Sequence, residues 1–293
     1  MLEDRGVLMR EPPSKIIGKL REFLDEDIRS GDITTNAMGM LSSEALATIF
    51  AKSQSVLAGM EEAAAIAALM GLEYELLESE GDWVNPGTPV MKFKGEARTL
   101  LMVERVCLNI IQRMSGIATK TNRMVTAARE ENPDVIVAAT RKTTPGFRYF
   151  EKRAVTLGGG DSHRYALDDM VLIKNNHITA IGGVTKAIEA AKRSVSFSKK
   201  ISCEAGNLDE ALDAVHAGAD IILLDNFPPE EVAEAHSVLK KKNLRSRILL
   251  EASGGIDESN AKEFAKTGID IISSGSLTHS YDASDFNMIL SLE

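Results

Sequence analysis

The chain reads as an α/β protein, a mixed N-terminal third followed by a barrel of alternating strands and helices, and three observations predict this. Past Asn132-Pro133, six β-branched runs alternate with segments of helical period: "DVIVAATRK", "MVLIKNNH", "KISCEAG", "DIILLDNF", "RILLEASGG" and "DIISSGS". The runs end in polar residues near Lys142, Lys174, Glu204, Asp225, Glu251 and Ser274, the last four intervals running from 21 to 30 residues. The last two runs turn through glycine. Apolar strands alternating with helices at this spacing build parallel sheets with right-handed crossovers. Polar residues crowding the carboxyl ends of successive strands mark the mouth of a (β/α) barrel. Six strands are fewer than eight, so either the barrel is incomplete or two strands are hidden. A doubly wound open sheet ranks second, because no strand is followed by G-x-G-x-x-G.

Before that point helix and strand are mixed. In "KIIGKLREFLDEDI", Ile16, Leu20, Phe23, Leu24 and Ile28 fall near one helical face, and "GDITT" then breaks the helix. "ALATIFAKSQSVLAG" contains a strand, and "MEEAAAIAALMG" is a helix stopped near Gly71. "EYELLESEGDWVNPGTPVMKFKG" gives two or three strands, with turns at Gly81-Asp82 and Asn85-Pro86-Gly87. Its last part is similar to the hairpin of biotinyl and lipoyl carrier domains, with Lys92 at the modified position. The sequence then runs into a long helix instead of completing such a domain, so an ordinary hairpin with a solvated lysine is expected. From Arg98 to Glu130 helical periodicity dominates, interrupted at "SGIA".

Bulk properties bound the function classes. The 293 residues, 44% hydrophobic and 26% charged, suffice for one large α/β domain or two ordinary ones and argue against disorder. A net charge of -9 excludes a general nucleic-acid binder, which usually shows a basic face. Two cysteines, Cys107 and Cys203, lie within apolar patterns, so a reducing cytoplasm is expected rather than a disulfide framework. "MLEDRGVLMREPPSK" holds no apolar core of signal-peptide length, and the apolar run Ala63 to Met70 is far too short to span a membrane.

Against that acidic background, Arg141 to Arg164 carries six Lys or Arg residues and two acidic ones. Thr144-Pro145 is expected to start a helix, proline suiting its first turn. Phe147, Phe150, Ala154 and Leu157 would form its buried face and Arg148, Lys152 and Arg153 a solvated one. Gly158 to Gly160 would end the helix and swing His163 and Arg164 back towards Arg141 and Lys142. With Lys174, five potential cations then face the barrel mouth. At ~4 Å a pair of like charges costs ~4 kcal/mol at an effective dielectric near 20, so such a cluster calls for an anionic ligand. Arginine pairs carboxylates and phosphates alike.

The glycine turns "EASGGI" and "SSGSL" suit a phosphate, since glycine lets N–H groups converge and barrels often bind phosphate after their last two strands. Glu204 and Asp225, ending consecutive strands, suit Mg²⁺, which takes one or two carboxylates plus phosphate oxygens. An ion pair of these carboxylates with Lys174 or Lys142 is an equal alternative. Two chemistries fit: transfer involving a phosphorylated sugar with Mg²⁺, or a Schiff-base aldolase using Lys142 or Lys174. Facing carboxylates favour the charged form of a lysine, which disfavours the second.

The segments "GDITT", "ERVCLNIIQRMSGIAT", "TRKTTPGFR", "EKRAV", "GGGDSHR", "LIKNNH", "GADIILLDNF", "LEASGGI" and "ISSGSLTHS" follow in order. Together they resemble the quinolinate phosphoribosyltransferase family, from about Gly31 to Ser280. The resemblance implies an N-terminal α/β sandwich domain over 1–114 and an incomplete barrel over 115–279, of the type II phosphoribosyltransferase kind. The tail 280–293 is then free to pack back on the first domain. A cytoplasmic homodimer is implied, in which one subunit's sandwich domain covers the other's barrel mouth. So is a Mg²⁺-dependent reaction of quinolinate with phosphoribosyl pyrophosphate, giving nicotinate mononucleotide, pyrophosphate and CO₂.

On this resemblance Arg141, His163, Arg164 and Lys174, next to Thr140, meet the quinolinate carboxylates, and Arg105 reaches in from the partner subunit. Lys142 sits near the reacting centre, while Glu204 and Asp225 hold ribose hydroxyls, Mg²⁺ or both. Phosphate lies on Ser253, Gly254, Gly255, Ser274, Gly275 and Ser276, with His279. The chain departs from the family's usual Asn at Ser162 and Asp at Asn175, and "SCEAGN" is less acidic than usual. Nicotinate phosphoribosyltransferase, with one fewer carboxylate to bind, is the nearest alternative.

Overall fold

The computed structural model describes residues 14–38 and 43–292. The segment read above for a signal peptide lies, up to residue 13, outside them. The chain divides into two compact units, one running to Thr119 and regained from Asp282, the other spanning Lys120–Tyr281.

In the first unit α1 (Ser14–Ile28) buries Ile16, Leu20 and Leu24, the heart of the predicted stripe. Asp32 caps α2 (Ile33–Ala37), accepting from the Thr34 N–H at 2.9 Å. Then come β1 (Glu44–Ala51), β2 (Ser55–Val56), α3 (Met60–Leu69), β3 (Glu73–Leu76), β4 (Trp83–Val84) and β5 (Pro89–Glu96). Strand β12 (Phe286–Leu292) completes an antiparallel sheet of order β12-β1-β5-β3. Strand β1 buries Ala45, Ala47, Ile49 and Ala51, the alternation of a sheet with one face on a core. Lys92 sits within β5 opposite Thr48 and Glu75 and pairs with the Glu75 carboxylate at 3.6 Å, as an ordinary strand lysine does.

Helix α4 (Ala97–Arg129) runs unbroken through "SGIA", where an interruption was expected. Small residues there serve close approach. The Ser115 hydroxyl bonds both the N–H and the carbonyl of Ala58, at 3.0 and 3.1 Å. The Thr119 hydroxyl accepts from the Val56 N–H at 2.8 Å. At Gly116 a Cβ would lie 2.2 Å from the Asp282 carbonyl oxygen.

The second unit holds all six predicted strands: β6 (Ile136–Ala138), β7 (Val171–Ile173), β8 (Ile201–Ala205), β9 (Ile221–Asp225), β10 (Leu249–Ser253) and β11 (Ile271–Ser273). They form one parallel sheet of order β6-β11-β10-β9-β8-β7. Strands β6 and β7, at its two edges, do not pair, so this is an incomplete barrel. Between them lies α5 (Arg148–Leu157); α6 (Asn175–Ile181) and α7 (Val184–Ser194) follow β7. The later crossovers are α8 (Leu208–Ala217), α9 (Pro229–Lys241) and α10 (Ala261–Ala265), and α11 (Ser276–His279) follows β11.

Helix α5 corrects two expectations. It starts at Arg148, after a turn through Pro145 to Phe147, because the Thr144 carbonyl is taken by the Phe147 N–H at 3.0 Å in that turn, and the first helical bond runs from the Glu151 N–H to the Phe147 carbonyl at 3.1 Å. Nor do its cations form a solvated face. Lys152 is only 1% exposed, and Arg148 and Arg153 are half-buried. The segment after the helix lies over the side opposite Phe150 and Ala154, and Lys152 points into it.

Candidate active site at the barrel strand ends

Register places the polar strand ends on one face of the sheet. Glu204 pairs with Leu223 and Leu223 with Glu251, while Asp225 pairs with Ser253 and Ser253 with Ser273. Side chains two apart share a face. Glu204, Glu251, Asp225, Ser253 and Ser273 therefore project together, with Lys174 one residue past β7 and beside Glu204.

The cations arrive from two loops. Thr140, Arg141 and Lys142 follow β6, and the Thr140 hydroxyl accepts the Lys142 N–H at 3.1 Å. Gly158 caps α5, and Gly159, at φ +87°, turns the chain back. Asp161 then bonds β6 as an extra bridge: its N–H donates to the Val137 carbonyl and its carbonyl accepts from Ala139, each at 2.8 Å. This return sets His163 and Arg164 near Arg141. Burial, followed by the Arg141 guanidinium, holds the Arg164 pKa below its ordinary value. The Arg141 Nε is shut off from solvent without a hydrogen-bond partner, a state that costs ~1–3 kcal/mol.

Two acids each hold one basic side chain of the cluster. The Lys174 ammonium lies 2.5 Å from Glu204, whose other oxygen accepts the Asn175 N–H at 3.3 Å. His163, at φ +54°, sets its Nε2 3.3 Å from Glu251, a carboxylate that is fully buried and also accepts from the Ser273 hydroxyl at 2.6 Å. The ion-pair alternative thus holds for Glu204 with Lys174. Asp225 is half-buried, and its side chain makes no hydrogen bond or ion pair among the described residues.

Beside the acids, the two glycine turns line a cleft of about 300 Å³ that also takes in Lys142, Lys120 and His279. The Ser274 hydroxyl donates to the Ile256 carbonyl at 2.5 Å and meets the Ser276 hydroxyl at 2.8 Å, tying one turn to the other. Gly254 has φ +99°, and a Cβ there would lie 2.2 Å from the Asn226 side-chain oxygen, so no other residue fits without displacing Asn226.

The second unit thus brings together Thr140, Arg141, Lys142, His163, Arg164, Lys174, Glu204 and Asp225 with the turns Ser253–Gly255 and Ser274–Ser276 and His279. Arg105 belongs to the first unit, exposed on α4 with Glu104 at 3.7 Å. Sequence reasoning gave no role to Glu251, Glu151 or Lys152. Glu251 carried a signal, an acid near the end of an apolar run. The two α5 residues carried none, since helical phase alone put Lys152 outside.

Known proteins resemble the chain over both units. A family model for the C-terminal domain of quinolinate phosphoribosyl transferase matches residues 117–289, and one for the N-terminal domain matches 32–115. A probable nicotinate-nucleotide pyrophosphorylase [carboxylating] of Archaeoglobus fulgidus is 43% identical over 258 residues, 88% of this chain and 97% of that protein. The human nicotinate-nucleotide pyrophosphorylase [carboxylating] is 39% identical over 99% of this chain and 96% of its own. The crystal structure of NadC from Streptococcus pyogenes superposes with a TM-score of 0.89 at 38% identity, covering 96% of this chain and 98% of that one. Both units are matched and in the same order, so the chain belongs to the quinolinate phosphoribosyl transferase family.

Proposed function

We propose that the strand-end cluster transfers the phosphoribosyl group of phosphoribosyl pyrophosphate to quinolinate with loss of CO₂, a step of NAD synthesis. One observation carries this. On a single sheet face, buried acids hold basic side chains suited to carboxylates, next to a glycine-lined cleft suited to a phosphate. Arg141, His163, Arg164 and Lys174 bind the two carboxylates, and the unmatched Arg141 Nε gains a partner when they arrive. Ser253, Gly254, Gly255, Ser274, Gly275, Ser276 and His279 hold the 5′-phosphate. Lys142, which lines the same cleft, stands between the two subsites.

Among the described residues no three His, Cys, Asp or Glu side chains gather as a metal cage. Asp225, unpartnered, with Glu204 supplies one or two carboxylates, the set that suits Mg²⁺ when phosphate oxygens complete its shell. Bound with the pyrophosphate, such an ion neutralises developing charge on the leaving group. The chain's own residues do the rest by position and charge. Glu204 and Asp225 stabilise the cationic sugar as pyrophosphate departs from C1. The pyridine nitrogen attacks and becomes positive, that charge stabilises the carbanion left when the adjacent carboxylate leaves as CO₂, and a proton from solvent takes the vacated position on the ring carbon. No covalent enzyme intermediate is needed.

The working unit is a cytoplasmic homodimer in which Arg105 of one subunit completes the partner's site. Unpaired buried cysteines support a reducing compartment: burial pushes both thiols up to about 12. The test is incubation with quinolinate, phosphoribosyl pyrophosphate and Mg²⁺, measuring pyrophosphate and CO₂ together. Equal release of both is expected. Consumption of nicotinate without CO₂ would instead make the enzyme a nicotinate phosphoribosyltransferase.

A further inference from the structure

Helix α5 carries two adjacent buried charges, Glu151 and Lys152, 0% and 1% exposed. They act in opposite directions along the chain. The Glu151 carboxylate accepts the Thr144 N–H at 3.0 Å, gripping the loop that presents Arg141 and Lys142. The Lys152 ammonium donates to the Ser162 carbonyl and, at 2.9 Å, to the Arg164 carbonyl, gripping the return loop on both sides of His163.

His163 is where that grip matters. Its φ of +54° is unfavourable for a side chain with a Cβ, and such strain persists only where surrounding structure enforces it. The Asp161 carboxylate helps, accepting the His163 N–H at 2.7 Å. Ser162 and Arg164 lie outside any strand, so their carbonyls have no ladder partner; a charged donor bonds them about twice as strongly as a neutral one. A buried ammonium is costly, and here two carbonyls, the Tyr165 ring at 5.8 Å and the nearby Asp161 and Asp169 offset the cost in part.

We infer that Lys152 is a positioning residue for dicarboxylate recognition, α5 acting as a clamp that sets the two cation-bearing loops against each other. This rests on the reading of Arg141, His163 and Arg164 as the carboxylate subsite. It assigns no contact with substrate to Lys152. Burial, then repulsion by Arg148 and Arg141, holds the Lys152 pKa down at about 8, with Asp161 and Asp169 opposing. The clamp accordingly weakens as the ammonium loses its proton on the alkaline side.

The experiment measures Lys152→Met beside His163→Ala. Lys152→Met is expected to raise the quinolinate KM by about tenfold or more while the phosphoribosyl pyrophosphate KM stays within about twofold. Wild-type quinolinate affinity should fall between about pH 7 and 9.5, and Lys152→Met should lack that fall. An unchanged quinolinate KM in a normally folded Lys152→Met, or equal losses for both substrates, would overturn the clamp. Should that variant not fold, the wild-type pH series and Glu151→Met, which removes the acceptor of the Thr144 N–H, decide: affinity flat with pH and a silent Glu151→Met overturn it equally. If His163→Ala leaves quinolinate binding intact, the carboxylate subsite itself is misassigned; if it impairs binding and Lys152→Met does not, the clamp alone falls.

Discussion

Two glycines of the strand-end cleft differ in what surrounds them. At Gly254 the obstacle to a Cβ includes backbone, the Asn226 nitrogen at 2.9 Å, and φ is +99°. Gly254→Ala is therefore expected to cost roughly 1–3 kcal/mol of stability and to abolish tight phosphoribosyl pyrophosphate binding. At Gly275 the obstacles are movable, the Lys142 Cδ at 2.6 Å and the His279 ring at 3.0 Å. Gly275→Ala should melt close to wild type yet lose about tenfold in kcat/KM, because it displaces side chains of the site. Urea unfolding and steady-state kinetics on both variants check the contrast; equal stabilities would refute it. The glycines themselves were legible in the sequence, but their different neighbours were not, since Asn226 and Lys142 reach them from other strands.

At the level of elements, α5 and α4 each make a prediction. The Lys152 pKa of about 8 lies below the 10.5 of an ordinary lysine. Between those values the unfolded chain binds the proton more tightly, so stability rises with pH there, and the burial penalty is fully present below about 8. Urea unfolding near pH 7 and pH 9.5 should show wild type gaining on Lys152→Met. Stability would then rise over the range in which quinolinate affinity falls, a divergence that loss of packing alone does not produce. In α4, Gly116→Ala would drive a Cβ into the Asp282 backbone ahead of β12. A loss of roughly 1–3 kcal/mol is expected, read as an earlier urea midpoint. Serine and glycine in a helical pattern were read as a break because they are weak helix formers. They proved to be contact points, and contact with residues far along the chain leaves no local trace.

At the scale of the whole molecule, the proposed shared-site dimer is tested by complementation. Arg105→Ala and Lys142→Ala subunits should each be nearly inactive. After subunit exchange, half the dimers are mixed and each mixed dimer holds one intact site, so about a quarter of wild-type activity should return. No recovery despite proven exchange would place Arg105 outside the partner's site.

The strand count, the parallel alternation and the polar strand ends were legible because periodicity and chain order are local properties of a sequence. So were the cations of the 139–164 stretch, as residue types suited to an anion. Which of them reach the strand-end cluster was decided by packing. Lys152 turned inward because a loop covers the second side of its helix, and Glu251 became the buried partner of His163 because β10 lies central in the sheet. Helical phase can count faces, but it cannot know how many of them the rest of the chain will cover.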